Sequence, residues 1–327
     1  MTGIITHEGS KSYIIGEPKG AFISAVGPDS AAGTTDGNYK VHTFTATKTG
    51  SNGFVVKNTG SPHGSMEIEY LVIAGGGGGG AQHGGGGGAG GYLEGKFNII
   101  DAGGVGNYNI TVGAGGAKIS GSTNQGNAAS GTDSEIQFIG PTSAGLKAYG
   151  GGGGASFSPT NRLELANDGG SGGGGGSSDN SSGVSGQGGQ GIDGQGNSGN
   201  FGTYAGGGGG GAGGMGRVSF HDDQNGWPYQ WGITSNTYGG EGGKGKTSWI
   251  TGSAVARGGG GGGGSYNNPG GRGLGGSGGG GNGAQHTTSG TAATVNTGGG
   301  GGGESAGGTG RGTDGASGVV ILRYRFQ

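Results

Sequence analysis

The chain of 327 residues contains no cysteine, only seven prolines and few charged residues, which make up 11% of it. Disulfide bonds therefore contribute nothing, and the chain is indifferent to the redox compartment. Hydrophobic residues amount to 27%, too few to build the large apolar core of an ordinary domain of this length. The net charge is −2 without a cluster of lysine and arginine, which argues against nucleic acid or an anionic membrane as partner.

Signals for membrane insertion and export are also missing. The longest apolar run, IEYLVIA, is far shorter than a membrane span. The beginning, MTGIITHEGSKSY, lacks the basic start and the apolar stretch of a secretory signal. We therefore expect a protein that is made in the cytoplasm of its host cell without a signal peptide.

Glycine is what the chain has in excess, with 104 residues. A strict G-X-Y period is absent and proline is scarce, which excludes collagen. Much of the glycine lies in eight runs, at residues 75–80, 84–88, 150–154, 172–176, 206–211, 258–264, 278–281 and 298–303. Such runs are either flexible linkers or the rods of an ordered lattice.

The regular alternation of runs with segments carrying aromatic residues favours the lattice, because a tether needs no such alternation. Glycines in the polyglycine II conformation form an extended helix with three residues per turn and no internal hydrogen bonds. Its N–H and C=O groups must be satisfied by neighbouring helices, which only glycine lets approach closely enough. We expect a block of such helices held together by backbone hydrogen bonds.

Several segments have the alternation of β-strands. The stretch YKVHTFTAT (Tyr39–Thr47), the turn TGSNG and the stretch GFVVKN predict a β-hairpin. The stretch SMEIEYLVIA (Ser65–Ala74) predicts a strand with a buried second half. The stretch SGVVILRYRF (Ser317–Phe326) predicts a closing strand that pairs with, or lies next to, Glu67–Ala74. Further strands are expected in YLEGKFNII, NYNITVGAGG, SEIQFIG and LKAYGGGGG.

The expected fold is therefore mostly β or irregular: a small β-sheet region packed with a bundle of polyglycine II helices joined by surface loops, with almost no α-helix. Helices are disfavoured because each glycine costs about 1 kcal/mol in a helix. We expect a β-rich attachment region over residues 1–65. A glycine-rich polyglycine II domain with a closing strand at 317–326 would follow over residues 66–327.

Four stretches carry a resemblance to a known family: EIEYLVIAGGGGGGAQHGGGGGAGGY, NYNITVGAGGA, AYGGGGGASF and GASGVVILRYRF. They resemble the glycine-rich domain of bacteriophage tail-fibre and other virion proteins, which is similar to the polyglycine-sandwich adhesins at the fibre tips of T-even-like phages. The resemblance covers about residues 38–327. It implies a receptor-binding role for loops on a rigid scaffold. The N-terminal residues do not match the docking domain of those adhesins, so the attachment point stays open between another fibre, the baseplate and the capsid.

Binding residues are expected in the loops that join the runs, because loops crowd at the two ends of such a block. The segment Arg217–Tyr238 and the next two loops hold all three tryptophans. Exposed aromatic rings suit sugar faces and protein epitopes. The predicted receptor-binding residues are Phe220, Asp222, Asp223, Trp227, Tyr229, Trp231, Tyr238, Trp249 and Tyr266. The alternative interpretation is that these rings only pack the end of the scaffold.

Enzymatic sites are less well supported. The stretch GGEGGKGKTSWI contains the phosphate-loop pattern G-x-x-x-x-G-K-T, ending at Lys246 and Thr247. A match to this pattern arises easily by chance in a chain so rich in glycine. In addition, neither a buried strand before it nor a helix after it is indicated. Consecutive residues His221–Asp223 cannot all face one metal ion, and Glu67 and Glu69 suit the solvated face of a strand. We expect no enzyme, no cofactor and no metal.

The leading functional hypothesis is a phage fibre or fibre-tip protein that binds a host glycan or outer-membrane protein and is located in the virion, released by lysis. A purely structural virion protein, such as a fibre, collar or capsid decoration, is the alternative. Other virion proteins would be partners through the N-terminal region, without membrane insertion, and the oligomeric state is open between a monomer and a homotrimer. An ice-binding protein on the same lattice is less favoured. Such a protein needs a flat face, for example with threonines at a fixed spacing, and the threonines of this chain are irregularly spaced.

Overall fold

The computed structural model describes residues 4–8, 11–15, 20–119, 126–140, 145–157, 165–177, 186–222, 236–265, 271–305 and 311–327. The described part is β or irregular, as predicted, and contains no α-helix. Its helical turns are two short 3-10 segments, Pro28–Ser30 and Gly50–Asn52. Within these ranges, no helix has the length and apolar character needed to cross a membrane.

The strands of the described residues are β1 (Ile4–Glu8), β2 (Lys11–Ile15), β3 (Ile23–Val26), β4 (Thr34–Asp36), β5 (Tyr39–Phe44), β6 (Phe54–Thr59), β7 (Glu67–Ile73), β8 (Tyr92–Asn98), β9 (Gly106–Thr111), β10 (Ser134–Gln137), β11 (Leu146–Ala148), β12 (Phe220–Asp222), β13 (Asn236–Tyr238), β14 (Lys246–Ser248), β15 (Val255–Arg257) and β16 (Val319–Arg325). All strands expected from the sequence are present, as β5 to β11 and as the closing strand β16.

Two five-stranded antiparallel sheets face each other. The first has the order β11-β10-β9-β6-β3, and the second has the order β4-β5-β16-β7-β8. Side chains that alternate toward the space between the sheets form the main apolar core, which contains Phe44, Phe54, Tyr108, Ile136 and Leu322. This pair of sheets is called the sandwich below. Three two-stranded sheets, β1-β2, β12-β13 and β14-β15, lie outside it.

The predicted hairpin between Tyr39–Thr47 and the following stretch is wrong. Strand β5 pairs with β4 and β16 in the second sheet, whereas β6 pairs with β3 and β9 in the first sheet. The turn between them, including Gly50–Asn52, therefore crosses from one sheet to the other. Alternation of apolar residues indicates a strand, but it does not determine the strand's partner. Strands β5 and β6 lie in opposite sheets, and both turn apolar side chains such as Phe44 and Phe54 toward the same core.

The predicted partner of the closing strand is confirmed. Strand β16 pairs with β7, with Val320 opposite Val72, and β16 also pairs with β5 on its other side. The second half of β7 is buried, as expected. The division at residue 65 stays a prediction, and strands from both sides of that residue pair within each five-stranded sheet.

The glycine runs and the segments between them, from Ala74 to Ser317 but without strands β8 to β11 of the sandwich, form the glycine block. Seven of the eight runs are buried throughout, and run 278–281 is mostly half-buried. Most of their backbone hydrogen bonds join different segments: the N–H of Gly77 donates to the carbonyl of Gly88 (2.9 Å), and that of Gly87 donates to Gly301 (2.8 Å). Buried runs with so many backbone hydrogen bonds to neighbouring segments are not flexible linkers.

Close approach of neighbouring backbones explains why these positions are glycine. A Cβ atom added to Gly77 would overlap the carbonyl oxygen of Gly152, and one added to Gly261 would overlap that of Gly301. Both contacts would be shorter than 3.0 Å, which real Cβ atoms essentially never show. Any side chain at such positions must push a backbone segment away.

The block continues directly from the second sheet. Strand β7 leads into run 75–80, and its pairing with β8 is extended by hydrogen bonds from Ala74 to Gly91 (3.1 Å) and from Gly80 to Gly85 (2.9 Å). We call the end of the block next to β7 the sheet end, and the end around Gly80 and Gly84 the distal end. Runs 75–80 and 84–88 therefore lie between the sheet end and the distal end.

Asparagine side chains complete the hydrogen bonding at the rim of the block, where neighbouring segments are missing. The amide of Asn197 donates to the carbonyl of Gly211 (2.8 Å), and that of Asn200 donates to Gly216 (3.2 Å). The side-chain oxygen of Asn282 accepts from the N–H of Gly275 (2.8 Å). Side chains thus replace the backbone partners that interior runs have.

Candidate binding surface

The nine predicted binding residues fall into three groups. Asp223, Trp227, Tyr229, Trp231 and Tyr266 lie outside the described residues. Phe220, Asp222 and Tyr238 lie on the β12-β13 hairpin. Trp249 follows β14 and is 66% exposed.

The β12-β13 hairpin lies at the distal end. Hydrogen bonds connect Gly264 to Gly84 (2.9 Å), Gly206 to Gly264 (3.0 Å) and Gly240 to Gly206 (2.8 Å). Gly240 stands two residues after Tyr238, the last residue of β13. The hairpin therefore extends from the same end of the block as the connection between runs 75–80 and 84–88.

Two of the predicted residues form a stacked aromatic pair on this hairpin. Phe220 and Tyr238 are direct cross-strand partners, and their ring centroids lie 4.8 Å apart with an interplanar angle of 13°. Phe220 is 57% exposed. Cross-strand aromatic pairs stabilise a short hairpin. In this pair, Phe220 keeps more than half of its surface in solvent.

Three further exposed side chains lie in this neighbourhood and were not among the predicted binding residues. Phe201, Tyr204 and Val218 are 45%, 36% and 42% exposed. Their two segments are joined by hydrogen bonds from the N–H of Ser219 to the carbonyl of Phe201 (3.3 Å) and from the N–H of Thr203 to the Ser219 hydroxyl (2.8 Å). The sequence signal that could have found Phe201 and Tyr204 is the stretch NFGTYA, which leads directly into run 206–211. Tyr238 is likewise followed by glycines.

We call Phe201, Tyr204, Val218, Phe220 and Tyr238 the distal aromatic surface. Ser219 is 2% exposed between the exposed Val218 and Phe220, so these two neighbours share the solvent side of their strand. Exposed large apolar side chains at one place of a soluble protein are typical of an interaction site.

Trp249 is not part of this surface. The extended segment from Gly239 to Gly245, which spans roughly 20 Å, separates β13 from β14. Strand β14 and Ile250 lie at the sheet end, where Ile250 packs in a cluster with Leu71 and Ile321 of the second sheet. The structure therefore places Trp249 at the opposite end of the block from the Phe220 and Tyr238 pair.

The phosphate-loop pattern has no phosphate cradle. The N–H groups of Gly240, Gly242, Gly243 and Gly245 all donate to backbone carbonyls, at 2.7 to 2.9 Å. Lys246 and Thr247 lie on strand β14 and not at the start of a helix. These four N–H groups are therefore not available to a phosphate, and no helix dipole points at Lys246 and Thr247.

The acidic pair of β7 differs partly from expectation. Glu67 is exposed, as predicted, but Glu69 is half-buried. Its carboxylate lies 3.1 Å from Nη1 of Arg323 and 3.4 Å from Nζ of Lys96, because both cations stand on the neighbouring strands. No cluster of three potential metal-ligating side chains occurs among the described residues.

Residues 49–325 match the family model described as a glycine-rich domain, which covers the whole block but begins after strands β4 and β5 of the second sheet. The chain belongs to this glycine-rich domain family. Comparison with curated proteins gives no match. In this glycine-rich domain the matched region includes strands β6 to β16, so the family unit contains most of the sandwich as well as the runs.

Proposed function

We propose that this glycine-rich domain protein is a phage tail-fibre or fibre-tip protein, a receptor-binding adhesin of the virion. In this proposal the glycine block is a rigid stack of polyglycine II helices, and surface segments at its distal end recognise the host bacterium. The observation that carries the proposal is the exposed distal aromatic surface on a scaffold whose buried runs are hydrogen-bonded to neighbouring backbone segments.

The hydrogen-bond pattern of run 75–80 supports the polyglycine II conformation. Its N–H groups address three segments in rotation, so that every third residue donates to the same neighbour: Gly75 and Gly78 to Thr132 and Ala129, Gly76 and Gly79 to Ala316 and Thr313, Gly77 and Gly80 to Gly88 and Gly85. Its carbonyls accept from three other segments with the same spacing, from Gly151 and Gly154, from Gly116 and Ile119, and from Gly301 and Glu304. A helix of three residues per turn with six neighbours has this pattern.

Rigidity is what such a scaffold contributes to binding. Segments anchored at both ends by buried runs lose little additional conformational entropy when they bind, which favours affinity. Phe220 and Tyr238 present stacked rings of few torsions, a combination that suits sugar faces and protein epitopes. The predicted residues Trp227 and Trp231 belong to the sequence between β12 and β13.

Adsorption to bacteria tests the proposal. The purified protein should bind cells of a susceptible strain, and the double variant Phe220→Ala/Tyr238→Ala should bind them at least about tenfold more weakly, as expected for loss of central aromatic anchors. Val295→Ala is the matched control, because Val295 is an exposed apolar residue (68%) outside the distal aromatic surface. Normal adsorption by the double variant would remove the site assignment, and Trp227→Ala/Trp231→Ala then tests the loop separately.

The remaining parts of the proposal concern assembly. Residues 1–65 would attach the protein to another fibre, the baseplate or the capsid, and the protein would act without catalysis or cofactor. Immunoelectron microscopy of intact particles, with an antibody against this chain, tests the location. Labelling of fibre ends supports the adhesin; labelling of the capsid or collar together with absent adsorption would favour a purely structural virion protein.

A further inference from the structure

A cleft of about 290 Å³ lies at the sheet end, between the β14-β15 hairpin and the outer face of the second sheet. This volume is at the small end of ligand pockets and suits one compact ring. Its wall includes the side chains of Glu69, Glu94, Lys96, Thr247, Trp249 and Arg323. We call it the Trp249 cleft. It is far from the distal aromatic surface and does not depend on it.

Trp249 is an exposed ring on an anchored backbone. Its neighbours Ser248 and Ile250 are 2% and 4% exposed, whereas the indole is 66% exposed. The Ser248 hydroxyl donates to the Glu94 carboxylate (2.6 Å), which fixes the hairpin on strand β8. The indole therefore offers a flat apolar surface beside the cleft at low entropy cost.

The charges of the cleft are already compensated. The Arg323 guanidinium contacts Glu69 (3.1 Å) and Asp36 (3.0 Å), and Lys96 contacts Glu69 from the other side (3.4 Å). The second oxygen of Glu94 accepts from the Tyr92 hydroxyl (2.8 Å). Each carboxylate oxygen still has lone-pair capacity for a further donor.

Preorganised polar groups of both signs beside a flat ring select a particular ligand chemistry. The two cations Lys96 and Arg323 balance the two carboxylates Glu69 and Glu94, so these four groups give the cleft no net charge that would favour a cation or an anion. A neutral pyranose has an apolar face for the indole and hydroxyl groups that both donate to carboxylates and accept from cations. We propose that the Trp249 cleft binds one neutral pyranose residue.

Nuclear magnetic resonance of the indole N–H groups tests the proposal on the full chain, which has three tryptophans. Trp249→Phe identifies the Trp249 signal. Glucose, galactose, mannose and N-acetylglucosamine are each added up to about 50 mM, enough to occupy most of a site with a millimolar Kd. With at least one of them, we expect a saturable shift of the Trp249 signal and no shift of the other two.

Variants separate the cleft from the rest of the protein. Trp249→Ala should abolish the saturable shifts of the backbone signals around the cleft, while its thermal unfolding stays unchanged because the side chain is exposed. Thr247→Val, which removes an exposed hydroxyl at the cleft, should weaken binding severalfold. Phe220→Ala, at the distal end, is the matched control and should leave the affinity unchanged.

Three results would overturn the proposal: no saturable shift with any of the four sugars, binding that survives Trp249→Ala, or stronger shifts with tetramethylammonium or glucuronate than with every neutral sugar. The last result would assign the cleft to a charged group. None of these outcomes bears on adsorption through Phe220 and Tyr238, so this inference and the receptor-binding proposal can fail independently.

Discussion

The sandwich and the glycine block are both buried, but different atoms hold them together. In the sandwich, Phe54, Tyr108 and Ile136 are at most 1% exposed, and burial of their apolar surface stabilises the sheets. In the block, the buried atoms are mostly backbone, and N–H groups such as that of Gly261 (2.8 Å to Gly87) bond to neighbouring segments. A low hydrophobic content therefore does not prevent a compact interior when backbones pack against backbones.

The difference predicts opposite responses to side-chain size. The largest effect is expected for Gly87→Ala, because the added Cβ would overlap the carbonyl oxygen of Gly77. Separating these segments would break several buried backbone hydrogen bonds at about 1 to 3 kcal/mol each. We expect the free energy of unfolding to fall by more than about 5 kcal/mol, or folded protein to be lost.

Gly214→Ala is the matched control for this change. The nearest atom that its Cβ would meet is the Lys244 nitrogen at 3.8 Å, an ordinary contact. Urea unfolding of both variants should show a near-normal midpoint for Gly214→Ala only. Equal stability of the two variants would mean that close backbone packing does not determine the glycine content of the block.

In the sandwich, the harmful change is a smaller side chain. Phe54→Ala should lower the free energy of unfolding by about 3 to 5 kcal/mol, because it opens a cavity between the sheets. Phe54 contacts the rings of Tyr108 and Tyr324 at centroid distances of 6.2 Å, so the loss includes aromatic contacts. Phe54→Leu, which keeps most of the volume, should cost less than half as much in the same urea measurement. If Phe54→Ala left the free energy of unfolding unchanged, the main apolar core would not lie at Phe54.

Prediction from sequence succeeded where one local signal determines the outcome. The apolar run of β7 and the closing strand β16 were recognised from their patterns, and the expectation that β16 pairs with or lies next to β7 is confirmed. The burial of the runs followed from the hydrogen-bonding needs of glycine backbones. These features depend on residue type alone.

Prediction failed where spatial partners decide. The alternation of Tyr39–Thr47 and its neighbour is the same for a hairpin and for two strands in opposite sheets, so the pairing was wrong. Trp249 was grouped with Phe220 because they are close in sequence, although the segment Gly239–Gly245 carries the chain from one end of the block to the other. Phe201 was missed because its contact with Ser219 joins two separate segments.

Acid should destabilise the sandwich through one buried histidine. His42 is 1% exposed and lies between Phe54 and Tyr324, and burial, with a smaller effect of the Lys40 charge, lowers its pKa from 6.5 to about 4. Because the unfolded chain binds the proton more readily, the free energy of unfolding should decrease as the pH falls from 6.5 to about 4 and then level out for this group. The expected decrease is about 3 kcal/mol at most.

The block has its own buried histidine, which makes the comparison direct. Burial lowers the pKa of His83 to about 3, and its ring nitrogen lies 2.9 Å from the Ser177 hydroxyl. Titration of both imidazole rings by nuclear magnetic resonance should give pKa values well below 6.5 in the folded protein. An ordinary pKa for His83 alone would show that water reaches this part of the block and not the sandwich.

The smallest effect is expected at the rim of the block. Asn197→Ala removes the amide that donates to the carbonyl of Gly211 (2.8 Å), but solvent can reach this half-buried position and partly replace the bond. We therefore expect a loss of about 1 kcal/mol, against less than about 0.5 kcal/mol for Lys57→Ala, an exposed side chain of the sandwich. Urea unfolding resolves the two values when the midpoints are compared at equal slope. If Asn197→Ala were as harmless as Lys57→Ala, water alone would satisfy the outer carbonyls, and the asparagines of the rim would require an explanation other than hydrogen bonding.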